Sequence, residues 1–282
     1  MMVEEPAAAV STLDSRATRE LTPCGAGSMV WRSWGEGRPL VLLHGASGSW
    51  THWIRNIATL ARHFRVLAPD MPGFGESDVP PEPHTADVLA DLITAGLGVV
   101  LPSPAELDIA GFSMGGIIGG LVAARLGRRI RTLVLLGPGG LRLPPAPRRP
   151  LLGTRPDMRP DEVARTYREN LKVLMLANPD KVDDLAVFLQ MENVRQARFK
   201  SGDIPTSDAL LRALPAIRSR IASIWGGCDA FVGPNLEARR RVLAGVQRDL
   251  DFRVIEGAGH WVTYEAADRV DAALLEILLG KA

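Results

Sequence analysis

The chain alternates short, nearly continuous apolar runs with longer stretches in which apolar residues recur every three or four positions. Continuous apolar runs are typical of strands buried on both faces of a sheet, and the longer period is typical of helices. The runs that predict strands cover residues 39–43, 64–68, 107–110, 130–136, 221–225 and 250–255. The stretches that predict helices cover residues 52–62, 85–100, 116–126, 236–246 and 265–279.

This alternation predicts an α/β fold, with a mostly parallel central sheet and helices on both of its faces. Residues 17–22 and 28–34 predict an antiparallel pair at the start of the sheet. Residues 1 to 15 are rich in Ala, Glu and Ser and predict a frayed terminus. In such folds ligands bind at the carboxyl ends of the strands, so functional side chains are expected directly after the predicted strands.

Residues 141–219 interrupt the alternation. They open with a stretch too rich in proline for a helix and continue with two helical patterns, over residues 162–177 and 181–199. We interpret the segment as a helical cap over the site, because it leaves and rejoins the core next to predicted strand ends. A surface insertion with no role is the alternative. The predicted domains are a core of residues 1–140 and 220–282 and a cap of residues 141–219.

The most informative motif is Gly111-Phe112-Ser113-Met114-Gly115, which reads G-x-S-x-G. It lies between a predicted strand and a predicted helix, and this context makes the pattern a nucleophile elbow. The glycines permit a tight turn that exposes the Ser113 hydroxyl. An idle serine in a glycine-rich connection is the alternative, and the presence of suitable partners for Ser113 argues against it.

A serine hydroxyl becomes a good nucleophile only beside a base, and the base needs a carboxylate to orient it. His260 follows the predicted strand at 250–255 in a glycine-flanked loop, so it is the predicted base. Asp229 follows the strand at 221–225 and is the predicted acid. Asp251 and Glu256 are rivals in position, but Asp251 opens its strand and Glu256 is close to His260 in sequence.

Five motifs in this order resemble the α/β-hydrolase family. They are L-L-H-G at 42–45, A-P-D-M-P-G-F-G-E-S at 68–77, G-F-S-M-G-G at 111–116, W-G-G-C-D at 225–229 and G-A-G-H-W at 257–261. The resemblance covers most of the chain apart from the first residues and the insertion. It implies the α/β-hydrolase fold and a catalytic triad of Ser113, Asp229 and His260, whose order along the chain is that of the family.

The resemblance also implies an oxyanion hole made by the backbone N–H groups of Met114 and Ala46, with Ser47 as the runner-up for the second donor. His44 would then fix the loop after the strand at 39–43. The chain has Ser where dehalogenases and epoxide hydrolases of this fold have Asp, which argues against both activities. It also lacks the H-G-G-G sequence of some lipases.

Three short features resemble the carbon–carbon bond hydrolases of aromatic degradation. They are G-P-G-G-L at 137–141, the small residues after Gly45, and Trp261 directly after the predicted base. Those enzymes usually have Asn before the nucleophile, where this chain has Phe112. They also place an Arg in the cap to hold a dienoate carboxylate, and Arg195 and Arg198 are the candidates for this role.

Ester hydrolysis requires neither of those groups, so hydrolysis of a small carboxylic ester is the predicted function. Carbon–carbon hydrolysis of a 2-hydroxy-6-oxo-dienoate is the alternative, and a ligand-binding receptor of the same fold is a further one. The predicted substrate-binding residues are Ser47, Phe112, Arg195, Arg198 and Trp261.

The composition narrows the possible functions and partners only slightly. A length of 282 residues suits one large domain with an insertion, and a hydrophobic content of 46% supports a sizeable core. The formal net charge of +1 gives no electrostatic reason to expect nucleic acid or a membrane surface as partner. Cys24 and Cys228 form no disulfide framework or metal motif. We expect a cytoplasmic protein with a small-molecule substrate, no cofactor and no metal, and a homo-oligomer is compatible with the sequence.

Overall fold

A computed structural model describes residues 5–102 and 105–280. The strands among these residues are β1 (Thr18–Cys24), β2 (Gly27–Trp34), β3 (Pro39–Leu43), β4 (Arg65–Pro69), β5 (Leu107–Phe112), β6 (Ile130–Leu136), β7 (Arg220–Gly226) and β8 (Asp251–Ile255). They form one sheet in the order β1-β2-β4-β3-β5-β6-β7-β8. β2 pairs antiparallel with both β1 and β4, and all other neighbours are parallel. The predicted sheet, including its antiparallel start, is confirmed.

Helices cover both faces of the sheet. They are α1 (Pro6–Asp14), α2 (Ile57–Leu60), α3 (Ala86–Val100), α4 (Met114–Leu126), α5 (Pro160–Leu174), α6 (Asp184–Gln196), α7 (Ala209–Ala213), α8 (Leu236–Ala244), α9 (Val262–Glu265) and α10 (Ala267–Leu279). Successive residues of β5 point to opposite faces, so Ile109 packs with α3 and α4 while Ala110 packs with α2 and α10. Burial on both faces explains why this strand is continuously apolar.

The prediction of a frayed terminus is wrong for residues 6–14, which form α1. Tertiary contacts at its carboxyl end hold this helix in place. The Leu13 carbonyl accepts a hydrogen bond from the Trp34 indole at 2.9 Å, and the Asp14 carboxylate accepts one from buried Arg32 at 2.5 Å. These partners lie on β2, so the amino-terminal sequence alone carries no signal for them. Residues 1–4 lie outside the described residues.

The helix predicted over residues 52–62 is also different. The chain forms a 3₁₀ turn at Trp50–Trp53 and then the single turn of α2. The Trp50 N–H donates to Asp70 at 3.0 Å, and the side chain of Ser49 caps the turn. Both tryptophans are buried, and placing them in the core takes precedence over a continuous helix.

The insertion between β6 and β7 contains α5, α6 and α7. α5 and α6 pack on each other, as the two helical patterns predicted. Leu210 of α7 packs against Gly120 of α4, so the chain has already rejoined the core at α7. Within the described part of the chain, no helix has the length and apolar composition needed to cross a membrane.

Candidate active site

The turn between β5 and α4 places Ser113 at the carboxyl edge of the sheet. Ser113 has a backbone φ of 53° and ψ of −117°, a strained conformation for a residue with a side chain. The neighbouring chain enforces this conformation. A side chain at Gly111 would collide with the backbone of Gly115, and one at Gly115 would collide with the carbonyl of Leu43. The Ser113 N–H donates to the Leu136 carbonyl at 2.8 Å, which fixes the turn to β6.

Ser113, His260 and Asp229 form a continuous chain of hydrogen bonds. His260 Nε2 lies 3.0 Å from Ser113 Oγ, and His260 Nδ1 lies 2.7 Å from Asp229 Oδ2. A carboxylate can only accept, so the Nδ1–H donates to Asp229 and Nε2 is left to accept the serine hydroxyl. His260 and Asp229 are both buried, so water competes little for these bonds. The arrangement can remove the proton of Ser113 as its oxygen attacks an electrophile.

Of the two rival carboxylates, one is paired with an arginine and the other is exposed. Asp251 forms two hydrogen bonds with Arg253, at 2.8 and 2.9 Å, and this pairing lowers the pKa of Asp251. Glu256 is exposed. Asp229 also accepts a hydrogen bond at its second oxygen from the Phe231 N–H, at 2.8 Å, which sets the plane of its carboxylate.

A cavity of about 300 Å³ opens in front of Ser113 and His260. Phe112 and Phe231 lie against the imidazole, with ring centroids 5.0 and 4.4 Å from that of His260. The insertion contributes part of the wall. The lining residues are Gly45, Ala46, His52, Phe112, Ser113, Gly137, Pro138, Gly139, Gly140, Leu141, Arg142, Leu143, Pro145, Arg148, Met175, Pro205, Thr206, Phe231, Val232, Arg239 and His260.

Two of the five predicted substrate-binding residues, Arg195 and Arg198, are arginines of the insertion. Neither lines the cavity. Arg195 is exposed on α6 and pairs with Glu192 one turn earlier, at 2.7 Å. Arg198 donates to the carbonyls of Gly75 and Ser77. Both guanidinium groups therefore have partners outside the lining of this cavity, and their contact with substrate stays a prediction.

Of the other three residues, one lines the cavity and two do not. Phe112 lines the cavity. Trp261 is fully buried behind the site, where its indole donates to the His52 carbonyl at 3.0 Å, so it supports the wall without forming it. Ser47 follows Ala46 with a positive φ of 49° and does not line the cavity, whereas Ala46 does.

The loop after β3 is held by two histidines. His44 Nε2 accepts the Met71 N–H at 2.8 Å, in keeping with the predicted structural role. His52 Nδ1 accepts the Gly45 N–H at 3.1 Å, and its Nε2 has no partner among the described residues. Burial, together with nearby His44 and His260, lowers the pKa of His52 well below its ordinary value. His52 is therefore a neutral member of the cavity wall, which the sequence did not indicate.

A second residue that the sequence did not indicate is Glu265, in α9. Its buried carboxylate accepts hydrogen bonds from the N–H groups of Gly259 at 2.6 Å, Ala177 at 3.1 Å and Asn178 at 2.6 Å. Gly259 precedes His260, whereas Ala177 and Asn178 follow α5 in the insertion. We call this set of bonds the Glu265 clamp. It joins the loop of the candidate base directly to the insertion.

Among the described residues, no group of three or more His, Cys, Asp or Glu side chains could hold a metal ion.

Comparison with known proteins agrees with the fold. Residues 40–273 match the sequence profile of the Alpha/beta hydrolase family. The chain belongs to this family. A relative from Pseudomonas putida, the dihydrolipoyllysine-residue acetyltransferase component of an acetoin cleaving system, is 32% identical over 258 residues. The match covers 86% of this chain and 64% of that protein, so the chain spans just under two thirds of that relative's length.

A second relative is the 2-hydroxy-6-oxo-6-phenylhexa-2,4-dienoate hydrolase of Comamonas testosteroni, 25% identical over 257 residues, covering 86% of this chain and 88% of that protein. Among solved structures, a carboxylesterase from Bacillus subtilis has a TM-score of 0.75 at 18% identity, covering 99% of this chain and 100% of that one. At this identity the structural likeness shows the fold alone. The relatives include hydrolases of carbon–carbon bonds, and this α/β hydrolase is an enzyme of the hydrolase type.

Proposed function

We propose that this α/β hydrolase is a serine hydrolase that cleaves a small-molecule carboxylic ester. The observation that carries the proposal is the hydrogen-bonded chain from Ser113 through His260 to Asp229, which opens onto a cavity of about 300 Å³. A cavity of this size suits a small substrate.

In the first half of the reaction, Ser113 Oγ attacks the ester carbonyl while His260 Nε2 takes the hydroxyl proton. Asp229 stabilises the imidazolium that forms. His260 then donates the proton to the leaving alcohol, and Ser113 retains the acyl group. In the second half, His260 takes a proton from a water molecule that attacks the acyl carbonyl, which releases the acid and restores Ser113.

The oxyanion that develops on the carbonyl needs two donors. The Met114 N–H is one, because α4 begins at Met114 and the first N–H groups of a helix have no intrahelical partner. The Ala46 N–H is the other, because Ala46 lines the cavity across from the elbow. The positive end of the α4 dipole adds to the stabilisation of the oxyanion.

The insertion acts in this proposal as a cap over the reacting centre. Leu143, Met175 and Thr206 come from the insertion and line the same cavity as Ser113. A wall of this kind limits the size of the substrate and excludes water from the carbonyl, which strengthens the electrostatic contribution of the oxyanion donors.

Carbon–carbon hydrolysis of a dienoate is the second candidate, favoured by the similarity to the Comamonas testosteroni hydrolase along 88% of that protein. Phe112 presents an apolar ring where a polar side chain was expected for this chemistry, so the ester is the leading substrate class. The ratio of kcat/KM for a small aryl ester to that for a 2-hydroxy-6-oxo-dienoate separates the two. A preference for the dienoate by orders of magnitude would replace the ester proposal.

Labelling with a fluorophosphonate tests the nucleophile. We expect the native protein to be labelled once, and Ser113→Ala to lose both the label and nearly all ester turnover. Ser207→Ala is the matched control, because Ser207 adjoins the cavity residue Thr206 and its hydroxyl bonds to the Ile204 carbonyl and the Ala209 N–H, not to a histidine. Labelling that persists in Ser113→Ala would exclude Ser113 as the nucleophile. Tight ligand binding with neither labelling nor turnover would identify a receptor.

A further inference from the structure

The wall of the cavity carries positive charge without any acidic side chain. Arg142, Arg148 and Arg239 line it, and no Asp or Glu does so among the described residues. Arg142 and Arg148 are exposed and lie at the mouth, whereas Arg239 is only 6% exposed. The electrostatic potential of such a cavity favours a negatively charged ligand.

Arg239 is unusual because it is buried without a counter-ion. Within the described residues it forms no ion pair with a carboxylate, and its guanidinium donates to the Asn235 carbonyl at 3.1 Å and reaches the Pro144 carbonyl at 3.5 Å. A guanidinium has five N–H donors, so further donors are free to bind a ligand. Burial of an unpaired charge is costly, which makes a structural role alone a poor explanation.

The other deeply buried arginine shows the contrast. Arg32 is 1% exposed and pairs with Asp70 at 2.9 Å and with Asp14 at 2.5 Å. With Glu76 as a further partner, three carboxylates thus compensate a buried guanidinium that joins β2 to α1 and to the loop after β4. Arg239, which lines the cavity, has no such ion pair within the described residues; its guanidinium has two carbonyls, the Trp225 ring 5.9 Å away and the charge of Asp229 beyond ion-pair distance.

Asp229 acts on Arg239 through its charge alone, with no hydrogen bond or ion pair between the two side chains. Both oxygens of Asp229 are engaged, one with His260 and the other with the Phe231 N–H. Burial lowers the pKa of Arg239, and the charge of Asp229 opposes this effect, but a guanidinium remains protonated near neutral pH. The cation therefore persists beside the reacting centre.

A continuous path joins the mouth of the cavity to the base. The guanidinium of Arg148 stacks over the Phe231 ring, 4.4 Å from its centroid, and the same ring lies 4.4 Å from that of His260. An anionic ligand attracted by Arg148 at the mouth therefore approaches the candidate base along Phe231, in the cavity that Arg239 also lines.

We propose that Arg239 binds a carboxylate of the substrate, so the preferred substrate is an ester that carries a second, free carboxylate. Arg142 and Arg148 attract this anion at the mouth, and Arg239 holds it by charge-assisted hydrogen bonds. The inference rests on the proposed ester hydrolysis by Ser113. It places recognition of the anion on α8 of the core, instead of on the insertion helix that carries Arg195.

Two matched pairs of esters test the class of substrate. In the first pair the acyl group carries the charge, with 4-nitrophenyl hydrogen adipate compared with 4-nitrophenyl methyl adipate. In the second the alcohol carries it, with 4-carboxyphenyl butanoate compared with its methyl ester. We expect the native enzyme to prefer the charged member of one pair by about 10- to 100-fold in kcat/KM. Salt should reduce this preference.

Variants of Arg239 test the residue. Arg239→Met should lower kcat/KM for the charged ester by about 10- to 100-fold and leave the neutral ester within about threefold, and Arg239→Lys should retain part of the preference. Arg195→Met is the control, because it removes the same charge outside the cavity and should leave the preference unchanged. Arg148→Gln should reduce the preference less than Arg239→Met, and it serves as the second variant if Arg239→Met does not fold.

Equal turnover of the charged and neutral esters by the native enzyme would overturn the inference and leave the proposed function intact. Equal losses for both esters in folded Arg239→Met would show a structural role and would also overturn it. Binding of adipate to Ser113→Ala, measured by calorimetry, separates the inference from the proposed function. If the native enzyme cleaves no ester but adipate binds in an Arg239-dependent way, the anion site stands and ester hydrolysis fails.

Discussion

Replacement of Asp229 by Asn tests the proposed triad at its most informative position. The carboxylate accepts two hydrogen bonds, from His260 Nδ1–H and from the Phe231 N–H. An amide has one oxygen, and only one of the two donors can keep it. If the oxygen stays with Phe231, the amide NH₂ faces Nδ1 and stabilises the wrong tautomer of His260, in which Nε2 carries the proton and cannot accept that of Ser113.

The size of the expected loss in kcat follows from the cost of the other orientation of the Asn amide. Rotation of the amide restores an acceptor to His260 but places the NH₂ against the Phe231 N–H in a buried site. Two buried donors then lack partners, at about 1–3 kcal/mol each. A total of about 2–6 kcal/mol corresponds to a loss of about 30- to 10⁴-fold. Because the variant also removes the charge that stabilises the imidazolium, we expect a decrease in kcat of about 10⁴.

The assay is kcat for a small aryl ester, with unfolding measured in parallel to confirm that Asp229→Asn folds. Asp251→Asn and Glu256→Gln are the matched controls, and both should remain within about threefold of the native enzyme. Near-native turnover in Asp229→Asn, with a large loss in either control, would show that another carboxylate orients His260 and would refute the reasoning.

Three further predictions follow from the described contacts. Glu265→Gln should lower the free energy of unfolding by about 1–3 kcal/mol and reduce kcat, because at least one of the three backbone donors loses its acceptor and the loop of His260 is held less firmly to the insertion; exposed Glu256→Gln, measured alongside, should change neither. Burial raises the pKa of Asp271 to about 6 from 3.8, so the folded state binds the extra proton and its stability should fall as pH rises from about 4 to 6. Asp271→Asn should therefore be about 1–2 kcal/mol more stable than native at pH 7 in denaturant titrations, and equal or lower stability would contradict this. Gly115→Ala should abolish soluble, active protein in expression and turnover assays, because its methyl group would collide with the Leu43 carbonyl; normal activity would show that the elbow can relax.

The strands and the elbow could be predicted because their signals are local. Strands buried on both faces read as apolar runs, and the residues that follow them converge at one edge of a parallel sheet. Ser113, Asp229 and His260 each follow such a run, so their meeting required only the topology. Gly111 and Gly115 flank Ser113 because any side chain there would collide with backbone atoms in or beside the same turn.

The wall of the cavity could not be predicted, because it depends on which side of a helix faces inward. Arg239 is the first of three consecutive arginines, and only packing of α8 distinguishes it from the two that follow. Arg195 could be assigned to the cavity from sequence only by ignoring its local pairing with Glu192 one turn away. Glu265 accepts hydrogen bonds from backbone N–H groups, two of them distant in sequence. Because almost every residue type has such a group, the sequence at those positions does not reveal the bonds.

The Glu265 clamp restricts the side from which a substrate can reach Ser113. Its three bonds, together with the 2.8 Å bond from the Trp261 N–H to the Met175 carbonyl, fix one side of the insertion to the loop of the candidate base. That side cannot move away without displacing the imidazole from Ser113. Under the proposed function, substrate would therefore enter on the other side, formed by the proline-rich stretch around Pro145, where exposed Arg148 lies at the mouth. Ser113 and His260 can then stay aligned while substrate enters and product leaves.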